Sequence, residues 1–210
     1  MNTLDYIIKK YNIDINGELP FEIPNVGRDD LAKLLCELDF KTGAEIGVAA
    51  GGYSKILCET NPQMKIYGVD IWKDYDNHYN VHFSRKFDLF YEQAKKQLAP
   101  FSNYEIIKEF SMDAIKRFDD NSLDFVYIDA NHKNPYVTED IVEWSKKVRP
   151  GGIVSGHDYY NGGKNFNVIE ATHKYTEDNN IKPWFVLGRK HKINNDETRD
   201  KSRSWFWVKP

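Results

Sequence analysis

Residues 43–54 read GAEIGVAAGGYS, and this stretch decides the fold class. A short strand at about Gly43–Gly47 runs into a glycine-rich turn, and the pattern from Lys55 to Thr60 is helical. A strand, a tight glycine turn and a helix in this order are typical of a parallel α/β sheet with crossover helices.

Apolar runs that predict further strands alternate with helical patterns along the rest of the chain. Strands are predicted at Lys65–Asp70, Tyr104–Ile107, Leu123–Asp129, Ile153–Ser155, PWFVL from Pro183 and SWFWV from Ser204, and helices at Asp29–Leu38, Lys86–Leu98, Val137–Val148 and Val168–Tyr175. No helix separates the last two strands, which indicates an antiparallel pair. We therefore predict an α/β fold: a Rossmann-like, doubly wound, mostly parallel seven-stranded sheet with an antiparallel C-terminal edge hairpin.

The composition indicates a globular chain. Its 210 residues suit a single domain, 1–210, in which residues 1–28 form an N-terminal extension or helix. Hydrophobic residues (40%) and charged residues (29%) exclude intrinsic disorder. A mean hydropathy of -0.67 without a long apolar run argues against a membrane span. The net charge of -3 gives no overall drive toward nucleic acid, and the N-terminus lacks the apolar core of a signal peptide, so we expect a cytoplasmic protein.

The two cysteines, Cys36 and Cys58, lie in segments that are predicted as apolar helix faces. Two thiols cannot form the disulfide framework of a secreted domain. We expect both side chains to be buried and reduced.

A nucleoside pocket is predicted where the first two of these strands end. Glu45, Gly47 and Gly51 form the pattern E-x-G-x-x-x-G, and Asp70 follows the next strand. The glycines let the backbone approach a ligand, and the acid can accept hydrogen bonds from both ribose hydroxyls. Ala49 replaces the second glycine that pyrophosphate binding requires, and a carboxylate at Glu45 would attract an amino group. The pattern therefore favours S-adenosylmethionine over NAD.

These motifs resemble the class I S-adenosylmethionine-dependent methyltransferases from about Asp29 to the end of the chain. AEIGVAAGGYS is similar to their first motif, GVDIW to their second, and LDFVYIDANH with VRPGGIVSGHDY to their later strand-end motifs. The chain most resembles the small sugar- and natural-product-modifying O-methyltransferases, which include relatives of the macrolide sugar enzymes and, more distantly, catechol O-methyltransferase.

The resemblance implies cofactor contacts along four strand ends. The implied contacts are Glu45, Gly47, Ala49, Gly51, Tyr53, Ser54, Asp70, Ile71, Trp72, Ser111, Met112 and Asp129. Met112 could pack on the adenine, while the alternative for Ser111 is a helix N-cap. Trp72 could cover the adenine or belong to a substrate lid, and the sequence does not decide between these roles.

The resemblance also implies a divalent metal, Mg²⁺ or Mn²⁺, with Asp129, His157 and Asp158 as its ligands. Because adjacent parallel strands end at one edge of the sheet, the two carboxylates should lie on the same side of the cleft. A nitrogen ligand at His157 suits Mn²⁺, Fe²⁺ or Zn²⁺ better than Mg²⁺. The alternative is that His157 only hydrogen-bonds nearby and no metal binds.

His132, three residues after Asp129, matches the general base of those relatives. A histidine can take the proton that the acceptor hydroxyl loses as the methyl group arrives, and Asp129 beside it favours this catalytic role. The alternative is a solvated loop histidine.

We expect an S-adenosylmethionine-dependent O-methyltransferase whose acceptor is a hydroxyl on a sugar or another small polyhydroxylated molecule. Residues 72–90 are polar and aromatic, which predicts a lid over the acceptor site. The alternatives are a methyltransferase acting on nitrogen or nucleic acid, and a nucleoside-binding module without turnover. Nucleic acid is the less favoured partner because the basic residues near the C-terminus are interspersed with acids. The oligomeric state, including a homodimer, is left open.

Overall fold

The computed structural model describes residues 1–73, 81–193 and 196–210, and of residues 81–85 it describes the backbone alone. The strands are β1 (Phe21–Ile23), β2 (Thr42–Ile46), β3 (Lys65–Val69), β4 (Tyr104–Ile107), β5 (Leu123–Ile128), β6 (Val148–Gly156), β7 (Phe185–Leu187) and β8 (Trp205–Val208). The helices are α1 (Thr3–Tyr11), α2 (Arg28–Glu37), α3 (Gly52–Thr60), α4 (Val81–Leu98), α5 (Ser111–Ala114), α6 (Tyr136–Lys147) and α7 (Val168–Asp178).

The strands form one sheet in the order β1-β7-β8-β6-β5-β2-β3-β4. Strand β8 is antiparallel to both of its neighbours, and the other pairings are parallel. The chain runs outward from β2 through β3 to β4, then returns to place β5 on the other side of β2. In such sheets ligands bind at the carboxyl ends of the strands where the order reverses, which here is the crevice between β2 and β5.

The α/β fold class is confirmed, with one strand more than the seven that were predicted. The additional strand is β1, which lies within the predicted N-terminal extension and pairs in parallel with β7, Phe21 opposite Phe185. The antiparallel pair of β7 and β8 is therefore not at the edge of the sheet. Three residues are too few to show a strand periodicity, and only the pairing with β7 defines β1.

Apolar side chains fill both faces of the sheet. Every residue of β5 is buried: Val126 and Ile128 belong to the cluster beneath α6, whereas Phe125 and Tyr127 belong to the cluster beneath α2 and α3. A strand buried on both faces is apolar over most of its length, as β5 is from Phe125 to Ile128, and this is why the sequence predicted β5. The same alternation directs Asp129, the next residue, toward the side of α2 and α3.

The cysteines differ from the expectation in one respect. Both thiols are free, and Cys58 is buried in α3, but Cys36 is exposed. The buried leucines of α2 lie at positions 31, 34 and 35, so Cys36 falls on the opposite face of that helix.

The predicted lid, residues 72–90, lies largely outside the described residues, because residues 74–80 and the side chains of 81–85 are not described. Its described C-terminal part belongs to α4. None of the helices in the described ranges combines the length and the apolar character that crossing a membrane requires.

Candidate active site

The candidate site lies where four parallel strands end at one level. Ile46 pairs with Val69 on one side and with Ile128 on the other, and Ile128 pairs with Gly156. The residues that follow these positions are Gly47, Asp70, Asp129 and His157. The strand register therefore brings together residues that are distant in the sequence.

A cavity of about 400 Å³ opens at this edge of the sheet. The predicted site residues that line it are Gly47, Ala49, Asp70, Ile71, Ser111, Met112, Asp129 and His132. The predicted residues that do not line it are Glu45, Gly51, Tyr53, Ser54, Trp72, His157 and Asp158. The size suits a small-molecule ligand, and the lining combines apolar walls with a few polar groups.

Asp70 organises the turn after β2. Its carboxylate accepts hydrogen bonds from the backbone N–H groups of Val48 (3.0 Å), Ala49 (2.9 Å) and Trp72 (2.8 Å). Burial raises the pKa of Asp70, and these N–H groups oppose that rise. The residue predicted to bind the ribose therefore also shapes the loop that lines the cavity.

Gly47 is required by the fold itself, apart from its predicted role in ligand binding. Its φ is +96°, and a Cβ atom would lie 2.1 Å from the carbonyl oxygen of Asp129. A side chain at this position would push β2 away from the end of β5. Any larger residue should disturb the strand end that carries Asp129 before it blocks the cofactor.

Glu45 turns away from the cavity, contrary to its predicted role as a partner for the cofactor's amino group. Its side chain is buried and accepts hydrogen bonds from Ser54 (2.5 Å) and Tyr104 (2.9 Å). Burial raises the pKa of Glu45 to about 8, although the two hydroxyl donors lower it. The physical reason is strand alternation: Ala44 and Ile46 face the cluster beneath α6, so Glu45 points to the other face.

Ser54 and Tyr53 also lie in the interior and not at the cavity wall. Ser54 is fully buried against Glu45. The ring of Tyr53 lies 4.5 Å from that of Tyr127, and its hydroxyl donates to the carbonyl of Arg28. These residues anchor α3 to the sheet and to α2.

Glu45 should make the stability of the protein fall as the pH rises. A glutamate that titrates near 4.5 when unfolded and at about 8 when folded stabilises the fold below pH 4.5, and this contribution is lost as the pH rises through 8. Between these values the loss is up to ~1.4 kcal/mol per pH unit. Glu45→Gln should remove this dependence, so that its melting temperature exceeds that of the wild type increasingly toward pH 8.

Denaturation curves at pH 5, 6, 7 and 8 measure this effect, with Glu59→Gln as the control. Glu59 lies on the exposed side of α3, where it pairs with Lys55. Parallel pH profiles for wild type and Glu45→Gln would contradict the assignment of a neutral, buried Glu45.

Trp72 and Gly51 stabilise the turn after β2 but do not line the cavity. The Trp72 indole donates to the carbonyl of Ala49 (2.7 Å), and its ring packs 4.9 Å from that of Tyr91. Gly51 has a φ of +83°, and its carbonyl accepts a hydrogen bond from Gln97. Trp72 is 3% exposed, so it is a core residue in this structure and does not cover the cavity.

Asp140 is a cavity residue that the sequence analysis missed. Its carboxylate accepts a hydrogen bond from Ser111, whose oxygen also accepts one from the Trp144 indole (2.7 Å). Burial raises the pKa of Asp140 to about 7, although Ser111 lowers it. The sequence did contain an indication of its burial: Asp140 follows Val137 by three residues, so the helical pattern of α6 places this acid on the buried face. Ser111 does not cap α5, because the N-cap is Phe110.

Two carboxylates and two imidazoles meet beside the cavity. His132 Nε2 lies 2.7 Å from an Asp158 oxygen and 3.8 Å from an Asp129 oxygen. His157 Nδ1 lies 3.3 Å from Asp158 and 3.6 Å from Asp129. Asp158 adopts a left-handed conformation with φ at 59°, which aspartate tolerates better than most residues. Burial would raise the pKa of Asp158, but the two imidazoles hold it well below its usual range.

The geometry around His132 suits a cation. Nε2 is buried and makes no hydrogen bond of acceptable geometry among the described residues, although Asp158 is close. One ligand atom each from Asp129, His132 and Asp158 lies within 4.8 Å of the others. In this grouping His132 takes the place that was predicted for His157. Phe166 stacks on the His132 ring, with centroids 4.7 Å apart.

A methyltransferase-domain family model matches residues 44–159. This range includes the glycine turn after β2 and the carboxylates Asp129 and Asp158. The match covers more than half of the 210 residues. The chain belongs to this methyltransferase family. It is thus an S-adenosylmethionine-dependent methyltransferase, as the motifs implied. No curated protein sequence matches the chain significantly.

Solved structures of methyltransferases share the fold. The O-methyltransferase TomG from Streptomyces achromogenes, solved with S-adenosylmethionine, is 16% identical with a TM-score of 0.60; the alignment covers 98% of this chain and 87% of TomG. An O-methyltransferase from Bacillus cereus, solved with S-adenosylhomocysteine, is 13% identical with a TM-score of 0.59, covering 99% and 90%. The precorrin-6y C5,15-methyltransferase of Geobacter metallireducens is 12% identical with a TM-score of 0.56, covering 85% and 86%. These names include different acceptors, so the shared fold does not define the acceptor.

Proposed function

We propose that this methyltransferase transfers the methyl group of S-adenosylmethionine to a hydroxyl of a small polyhydroxylated acceptor, most simply a saccharide, with the assistance of a divalent cation. The observation that carries the proposal is the cluster of two carboxylates and two imidazoles beside the cavity, of which Asp129 and His132 line the wall while His157 and Asp158 lie behind them. Carboxylates beside an imidazole can deprotonate a hydroxyl, whereas methyl transfer to carbon or to an already nucleophilic amine needs no such arrangement.

The cofactor end of the cavity is formed by Gly47, Ala49, Asp70, Met112 and Asp140. The Asp70 carboxylate faces the cavity from the end of β3, where it can accept hydrogen bonds from ribose hydroxyls. Met112 offers an apolar surface for a planar base, and Asp140 lies next to it on the wall. These positions support a nucleoside orientation with its reactive end toward Asp129.

The donor set fits a divalent cation. Asp129 and Asp158 would supply the oxygen ligands and His157 the nitrogen, a mixture that suits Mn²⁺ at least as well as Mg²⁺. When bound, the cation would lower the pKa of an acceptor hydroxyl and so make it a better nucleophile. Of the two histidines, only His132 lines the cavity, where it can reach the acceptor. We therefore assign His157 to the cation and His132 to the acceptor.

His132 is proposed as the proton acceptor. As the methyl group moves to the acceptor oxygen, the sulfur keeps the electron pair of the broken bond and the hydroxyl proton passes to Nε2 of His132. Phe166 restricts the plane of the imidazole by stacking on it. The chain contributes alignment, deprotonation and exclusion of water, which are the requirements of an in-line displacement.

The proposal is tested by incubating the protein with S-adenosylmethionine, Mn²⁺ and a panel of sugars, catechols, amines and short RNA, and measuring formation of S-adenosylhomocysteine. Turnover with hydroxylated acceptors that is lost in Asp129→Asn supports it. Turnover with amines or RNA alone would favour nitrogen methylation. Binding of the cofactor without turnover on any acceptor would favour a binding module.

Asp70→Ala should weaken S-adenosylhomocysteine binding by about 2 to 3 kcal/mol, because the variant loses charge-assisted hydrogen bonds to the ribose. The three N–H groups that Asp70 now holds would also lose their acceptor, so the turn should loosen. Calorimetry measures the affinity, and Asp39→Ala, at an exposed carboxylate, is the control. Unchanged affinity in Asp70→Ala would show that Asp70 does not bind the cofactor.

A further inference from the structure

Arg28, the first residue of α2, lies at the same edge of the sheet as the candidate active site. The evidence is its hydrogen bond with Tyr53: the Tyr53 hydroxyl donates to the Arg28 carbonyl at 2.9 Å. Tyr53 stands in the first turn of α3, directly after the glycine turn that follows β2. The start of α2 therefore lies next to the carboxyl end of β2.

A row of aromatic rings connects Arg28 with the acidic cluster. The guanidinium carbon lies 5.2 Å from the centroid of the Tyr53 ring. The Tyr53 ring is 4.5 Å from that of Tyr127, which is 6.3 Å from the imidazole of His157. Burial lowers the pKa of Arg28, but Tyr127, Asp129 and Asp200 more than offset this and raise it. Arg28 thus carries its charge on the side of the sheet toward which Asp129 projects.

The guanidinium of Arg28 has no hydrogen-bond or ion-pair partner among the residues that the structure describes. Other described arginine side chains are engaged by carboxylates or carbonyls, namely Arg117, Arg149, Arg189, Arg199 and Arg203. Asp200 is near, but its carboxylate accepts from the backbone N–H of Arg28 at 2.7 Å. Arg28 is half-buried, so its charge is only partly hydrated and remains accessible to a ligand.

We propose that Arg28 binds an acidic group of the methyl acceptor, so that the enzyme selects hydroxylated molecules carrying a carboxylate or a phosphate. This inference rests on the proposed O-methyl transfer and names its substrate class. A guanidinium matches the two oxygens of either anion with paired hydrogen bonds. The Tyr53 ring beneath it limits its motion, so less freedom is lost on binding. The hydroxyl would then point toward Asp129 while the acid is held at α2.

The test uses three probes that share a ring and differ at one carbon: glucose, glucuronate and glucose 6-phosphate. Their binding is measured by calorimetry to the 210-residue chain that has been loaded with S-adenosylhomocysteine and Mn²⁺. We expect at least one acidic probe to bind about tenfold or more tightly than glucose. A preference for glucuronate or for glucose 6-phosphate distinguishes the carboxylate from the phosphate.

Arg28→Gln should abolish this preference, and Arg28→Lys should keep part of it because the charge is retained. Arg149→Gln is the matched control, because Arg149 is paired with Asp124 near the other end of β5. Equal binding of the three probes to the wild type, or no binding of any, overturns the inference. A preference that survives in Arg28→Gln also overturns it, since the metal would then hold the acid.

The same variants separate this inference from the proposed function. If Arg28→Gln lowers Mn²⁺ affinity by the same factor as probe affinity, Arg28 supports Asp129 and does not bind the acceptor, which overturns the inference. Failure of the wild type to bind S-adenosylhomocysteine would overturn the proposed function itself. Normal cofactor binding without discrimination among the probes would overturn the role of Arg28 alone.

Discussion

Replacing His132 with alanine should lower turnover by roughly 10²- to 10⁴-fold, the usual effect of removing a positioned general base. Cofactor affinity should change little, because the imidazole lies beside Asp158 and Phe166 and not at the Asp70 end of the cavity. Single-turnover rates and calorimetry with S-adenosylhomocysteine measure the two quantities separately.

Binding of Mn²⁺ distinguishes the two roles that the geometry allows for His132. As a proton acceptor, His132→Ala should bind Mn²⁺ about as well as the wild type, whereas His157→Ala should bind it more weakly. As a metal ligand, as its grouping with Asp129 and Asp158 permits, His132→Ala should lose the metal. His191→Ala, at an exposed histidine, is the control. A His132→Ala variant with normal turnover would contradict both roles.

Asp158→Asn should reduce turnover to the level of the wild type in a strong chelator. The substitution keeps the size of the side chain but removes the charge that attracts a cation, and it weakens the contacts with both imidazoles. The affinity for Mn²⁺, measured as the free-ion signal in electron paramagnetic resonance, should fall in parallel. This readout requires no acceptor.

Asp120→Asn is the control for Asp158→Asn, because Asp120 forms an exposed ion pair with Lys147. Melting curves show whether the loss of the Asp158 charge also unfolds the strand end. Full wild-type turnover in chelator would contradict a role for the cation and leave His132 as the base of a metal-free reaction. Full turnover in Asp158→Asn would show that the reaction does not need this carboxylate.

Much of the cavity lining could be predicted because its residues follow recognisable strands. Gly47, Asp70 and Asp129 each come directly after a strand, and parallel strands bring such residues to one edge. The predictions for Gly47, Asp70 and Asp129 depend on the strand ends alone, so no knowledge of side-chain direction was needed. Ile71 and Met112, which the family resemblance implied, also line the cavity.

Glu45, Ser54 and Tyr53, predicted as cofactor contacts, lie in the interior and not at the cavity wall, because nearness in the sequence does not give side-chain direction. Glu45 lies two residues before Gly47, yet strand alternation turns it into the interior, where Tyr104 from another strand meets it. Asp140 was missed for the opposite reason. It belongs to a helix that otherwise serves the core, and only the packing of α6 against α5 brings it to Ser111.

By itself, the sequence determined the α/β class, the glycine turn after β2 and the two carboxylates that follow β5 and β6, because strand patterns and the residues after them are local properties of the chain. The tertiary structure alone decided the pairing of β1 with β7, the burial of Glu45 and the approach of His132 to Asp158. It also placed Arg28 beside Tyr53. These contacts join residues that are far apart in the chain, and their geometry depends on strand register and side-chain packing, which no local pattern encodes.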